Sequence, residues 1–85
     1  MKYVYELIIE YDLPKHKSYT LSYFSSFMKA DRAIEKYVDI NFNDILIKLN
    51  KKTINDHVIE YTGIEEINNQ ELEAFKAYIL QHNVL

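Results

Sequence analysis

From Tyr3 to Tyr11 the chain alternates without a break: Tyr3, Tyr5, Leu7, Ile9 and Tyr11 fall on one parity, and Lys2, Glu6, Glu10 and Asp12 on the other. Successive side chains of an extended chain point to opposite faces, so the pattern predicts a strand with one buried face. Leu13-Pro14-Lys15-His16-Lys17 breaks the alternation with a charged tip, and Ser18 to Phe24 resumes it, with Tyr19, Leu21 and Tyr23 on one parity. A hairpin that pairs Tyr11 with Tyr19, Ile9 with Leu21 and Leu7 with Tyr23 gathers the large apolar residues on one face. A slip of one residue would undo it. The rest of the chain has to cover that face.

A cover follows at once. Ser25-Ser26 offers a hydroxyl to the free amides of a first helical turn. Phe27, Ala30, Ala33, Ile34, Tyr37 and Val38 then recur at helical spacing, with Lys29, Arg32, Glu35 and Lys36 on the other side. Asn41-Phe42-Asn43-Asp44 reads as a turn. Ile45, Ile47 and Leu49 alternate into a third strand ending at Lys51-Lys52. A fourth strand, over about His57 to Thr62, puts Ile59 and Tyr61 inward if a longer loop precedes it. Asn68-Asn69-Gln70-Glu71 has capping-box spacing, and Leu72, Phe75 and Ile79 form the stripe of a second helix, flanked by Ala74, Tyr78 and Leu80. The expected fold is α+β, in the order ββαββα, a four-stranded antiparallel sheet with two helices packed on one face.

Composition narrows the function. At 85 residues the chain fits one domain, residues 1–85. With no cysteine it has neither a disulfide framework nor a thiolate metal site, which points to the cytoplasm. Its N-terminus lacks the apolar run of a signal peptide, and no stretch approaches membrane-spanning length. Charge is uneven: residues 13–56 carry eight Lys/Arg against five Asp/Glu, whereas residues 60–85 carry five Glu against the single Lys76. An acidic C-terminal third disfavours binding to a phosphate backbone, so nucleic acid ranks below protein as a partner.

No constellation for catalysis stands out. His16, His57 and His82 are scattered over a loop, a strand and the last helical turn, too far apart for a ligand cluster. One glycine leaves no phosphate-cradling loop and little for an oxyanion hole. The expectation is no enzyme, no cofactor and no metal. Three surface features remain. The tyrosines Tyr3, Tyr5, Tyr11, Tyr19 and Tyr23 make a core whose hydroxyls reach the rim, or an aromatic recognition surface. The opposite sheet face includes Val4, Ile8, Phe24 and Leu46, either scattered apolar residues or a patch for a partner or a homodimer. Glu60, Glu65, Glu66, Glu71 and Glu73 form a solvated helix start, or an acidic patch aimed at a basic protein groove.

The run Tyr23-Phe24-Ser25-Ser26-Phe27-Met28-Lys29-Ala30-Asp31-Arg32-Ala33-Ile34-Glu35-Lys36-Tyr37, after an alternating hairpin, resembles the strand-to-helix junction of small uncharacterised proteins encoded by phages and mobile elements of Firmicutes. The Lys/Asn/Ile-rich composition is similar too. The resemblance covers the first half of the chain and transfers no site residue. It implies a non-enzymatic accessory protein, with anti-CRISPR-like inhibitors of host defence among the roles. The leading expectation is therefore a small protein-binding module acting by surface occlusion. The alternatives are a nucleic-acid-binding accessory that uses the basic loop tips with Lys29, Arg32 and Lys36, and a structural homodimer.

Overall fold

A computed structural model describes residues 2–12 and 15–84. The elements run β1 (Lys2–Tyr11), β2 (Lys17–Phe24), α1 (Phe27–Asn41), β3 (Ile47–Asn55), β4 (Val58–Ile67) and β5 (Gln70–Val84). All the strands pair antiparallel in one sheet of order β2-β1-β5-β4-β3, and α1 packs across one face. The chain break expected at Leu13-Pro14 lies outside the described residues.

The ββαββα expectation, with four strands and two helices, is overturned: among the described residues the fold is mostly β, with five strands and a single helix. The error lies in residues 70–84. Leu72, Phe75 and Ile79 fit a helical stripe, but Phe75, Ala77 and Ile79 fit an alternating strand equally well, and these three are the ones buried. What separates the two readings is the turn before them. Asn68 and Asn69 both hold positive φ, 52° and 64°, in a two-residue link between Ile67 and Gln70. Two successive left-handed residues make the tight hairpin turn that matches strand twist, and asparagine tolerates that conformation better than most residues. An N-cap needs extended backbone followed by negative φ, so no helix can start there. β5 becomes the central strand, joining the β1–β2 and β3–β4 hairpins, which do not touch.

The first hairpin forms in a different register from the one expected. Ile9 faces Tyr19 and Ile8 faces Thr20, but Leu7 faces Ser22, leaving Leu21 as an extra residue. Such a bulge exchanges inside for outside beyond it. Phe24 therefore lies opposite Tyr5 and packs on the core, while Tyr23 lies opposite Glu6 and is 58% exposed. Phe24 does not belong to the outer face where the alternation had placed it.

The second hairpin also differs from expectation. β3 continues through Lys51 and Lys52, and the connection shrinks to Asp56-His57, in place of a longer loop. The Asn55 side-chain oxygen accepts the His57 amide at 2.8 Å, a local bond that closes the turn without further residues. Ile59 and Tyr61 do face inward.

α1 is capped as its sequence suggests: Ser26 is extended (φ −145°, ψ 155°) and its hydroxyl accepts the Lys29 amide at 3.2 Å. Ala30 and Ile34 are fully buried against Leu7, Ile9, Tyr61, Phe75, Ala77 and Ile79. A fifteen-residue helix covers only one side of this sheet. Among the described residues no helix is long and apolar enough to cross a membrane. The β4–β5 hairpin overhangs its neighbours, since residues 70–75 of β5 pair with β4 alone, and the molecule measures 49 × 21 × 21 Å.

Candidate interaction surface

Residues directly opposite in an antiparallel sheet share a face, so the register assigns the surface that α1 leaves uncovered. One row across it reads Thr20, Ile8, Tyr78, Glu60 and Lys52; the next reads Tyr23, Glu6, Leu80 and Val58; a third reads Ser18, Glu10, Lys76, Thr62 and Asn50. Val4 faces His82 at one end, and Ile64 faces Glu73 towards the overhanging hairpin. Val4, Ile8, Leu80 and Val58 thus make an apolar strip across β1, β5 and β4, and Ile64 stands apart from it beyond the row of Glu10, Lys76 and Thr62. All five are half-buried.

The charges around the strip are tied down. Glu6 accepts from the Thr20 hydroxyl at 2.6 Å and from Tyr23 at 3.5 Å, and its other oxygen lies 2.8 Å from His82 Nε2. The Thr20 hydrogen bond, above all, holds the Glu6 carboxyl below its ordinary pKa; partial burial opposes that shift and His82 adds to it. The Tyr78 hydroxyl donates to Glu10 at 3.4 Å. Burial, with Glu10 and Glu60 nearby, pushes the Tyr78 phenol up to about 12. Lys76 stands between Glu60 at 3.9 Å and Glu73 at 3.8 Å. At neutral pH Glu6 is an ionised acceptor, the opposite of the raised carboxyl that a general acid requires. Among the described residues, no group of three or more His, Cys, Asp or Glu converges as a metal site.

Two surfaces that looked separate in the sequence prove largely to be one. Glu60, Glu66, Glu71 and Glu73 share the outer face with Val4 and Ile8. Glu66 lies directly opposite Glu71 on the overhang, so like charges face each other with no third strand beside them. Three of the candidates stand elsewhere. Glu65 pairs with Ile47 and Leu72 on the helix side, Phe24 is turned into the core, and Leu46 sits in the link before β3, 89% exposed. Of the tyrosines of the first hairpin, Tyr23 reaches the outer face by register, whereas Tyr5, Tyr11 and Tyr19 pack towards the helix.

Leu80, Val58, Tyr78 and Lys76 were not among the sequence candidates, although they fill the centre of the face. Their signal was the even parity of residues 76–82, which a helical reading of that segment conceals. Compared with protein-family models, with curated proteins and with solved structures, the chain finds no match in any of the three.

Proposed function

We propose that the protein is a small non-enzymatic binding module of the cytoplasm, whose outer sheet face occupies a basic surface of another protein. The observation that carries this reading is the uncovered face itself, an apolar strip bordered by Glu6, Glu10 and Glu60 in fixed positions. Five strands at ~4.8 Å and ~3.3 Å per residue give a face of roughly 20 by 30 Å. That is near the scale of the ~800 Å² each partner contributes to a standard interface. Apolar centres supply the favourable energy of such contacts, while carboxylates held in place select a partner rich in Lys and Arg and repel an acidic one. The resemblance of the N-terminal half implies a phage-borne inhibitor of host defence, a role that needs only occlusion by such a surface.

The test is affinity capture from a host lysate with the wild-type chain and with a Glu10→Lys/Glu60→Lys variant that retains its circular dichroism spectrum. A stoichiometric protein held by the wild type and lost by the variant is the expected result. Capture of nothing, or equal capture by both chains, refutes the proposal. Salt-sensitive retention on heparin would move the reading to nucleic acid. A dimer in light scattering that Ile8→Lys dissociates would move it to self-association.

A further inference from the structure

The helix side of the molecule carries a second surface, which meets the outer face at Glu73. Where α1 ends, a cleft of about 350 Å³ opens between the first hairpin and the overhang, walled by Tyr11, Tyr19, Tyr37, Phe42 and Phe75. It continues, through shared walls at Tyr11, Phe42 and Ala74, into a second compartment of about 470 Å³ bordered by Asp12, Glu65 and Glu73. We propose that this cleft receives a guanidinium group, an arginine side chain presented by a partner protein.

Phe42 stacks on Phe75 with centroids 5.6 Å apart and 18° between the planes, while the remaining ring pairs meet at steep angles. Tyr11 and Tyr19 meet edge to face at 81° with centroids 6.4 Å apart, and Tyr37 stands edge-on to both Phe42 (6.3 Å, 62°) and Phe75 (5.3 Å, 64°). Aromatic faces are electron-rich, so rings at steep angles around an open space concentrate negative potential on whatever occupies it. The chain already uses one of these rings in that way: Lys17 Nζ lies 5.8 Å from the Tyr19 centroid. A purely structural aromatic cluster would close over itself. Here Phe75 is 1% exposed, but Tyr11, Tyr19, Tyr37 and Phe42 keep part of their surface open to the cleft.

The mouth is negative from several independent sources. Among the described residues no lysine or arginine lines either compartment. The last turn of α1 holds no basic residue, so the negative end of its dipole faces the cleft uncompensated. Glu65 makes no ion pair among the described residues, whereas Asp12 lies 2.8 Å from His16 and Glu73 lies 3.8 Å from Lys76. A planar cation that can stack on a ring and bond a carboxylate through two parallel N–H groups fits this combination better than a compact ammonium.

The experiment is an NMR titration of the full chain, at low salt, with N-acetyl-arginine methylamide and with its uncharged isostere N-acetyl-citrulline methylamide. The arginine probe should shift the ring resonances of Tyr11, Tyr19, Tyr37 and Phe42 saturably. The citrulline probe should bind at least about 2- to 5-fold more weakly, the scale of an exposed cation–π contact. Glu65→Gln, an isosteric exchange that removes the charge and keeps the side-chain shape, should weaken the arginine probe by a similar factor. No saturable shift, equal response to both probes, or shifts centred on Ile8 and Leu80 would each overturn the assignment. The outer-face proposal is untouched by any of these failures, because its capture assay reads a different surface.

Discussion

Gly63 lies on the helix side of β4, directly opposite Phe75, and the phenyl ring covers it. A Cβ built on this glycine would stand 2.6 Å from Cδ1 and 2.8 Å from Cζ of that ring, and closer still to Cε1. Ordinary carbon contacts lie near ~3.5–4.0 Å, so in Gly63→Ala the ring has to retreat by about 1 Å. Its retreat is blocked: Phe42 stacks on Phe75 at 5.6 Å, and Tyr37 meets it at 5.3 Å. Overpacking of this kind costs about 1–3 kcal/mol. The lost freedom of the unfolded chain gives back about 0.4–1 kcal/mol, since the backbone here does not need positive φ. The expected net is a loss of about 1–2 kcal/mol, or on the order of 5–15 °C in melting temperature for a domain of this size. Urea denaturation followed by circular dichroism measures it. In a Phe75→Leu background the same substitution should be nearly neutral, because the obstructing ring is gone. A Gly63→Ala variant as stable as the wild type, or one whose cost is the same in both backgrounds, would refute the packing argument.

Ser26→Ala removes the hydroxyl that accepts the Lys29 amide and should lower stability by about 1 kcal/mol in the same assay, with helix content reduced. Asn69→Gly relieves a left-handed residue (φ 64°) in the β4–β5 turn and should raise the melting temperature, whereas Asn69→Val should lower it by about 1–2 kcal/mol equivalent. Glu6 has a folded-state pKa below its ordinary 4.5, so between the two values the unfolded chain binds more protons than the folded one. Its contribution is complete above pH 4.5 and disappears as pH falls through the folded value. Glu6→Gln should therefore flatten the stability–pH curve below 4.5 and leave its slope at pH 6–8 unchanged, as measured by denaturation midpoints across that range.

The first strand, the helix and its cap were legible because each pattern has one period and one boundary signal: alternation from Tyr3 to Tyr11, a 3.6-residue stripe from Phe27 to Val38, and Ser26 ahead of it. Three features were not. The Leu21 bulge leaves no mark in composition, since Leu21 and Phe24 are both apolar and either could face inward. The Asp56-His57 turn depends on one side chain, Asn55, folding back on the backbone. In residues 70–84, Phe75 and Ile79 satisfy both periods, and the glutamates around them read as a favourable helix start. Only the paired left-handed asparagines separate the two, and their conformation is not written in a spacing. The candidate surface suffered from the same ambiguity. Val4, Ile8, Glu60 and Glu73 could be named from the sequence, but that they share one face follows from β5 lying between β1 and β4.

That central position has a consequence for how the protein is made. The strand holding Phe75, Ala77 and Ile79 is made after the other four, and Lys2 finds its partner only when Val84 has emerged. Until then the two early hairpins have exposed inner edges and no common neighbour to join them, so a nascent chain halted near residue 67 cannot assemble its core. Closure of the sheet therefore waits on the strand that fills its middle.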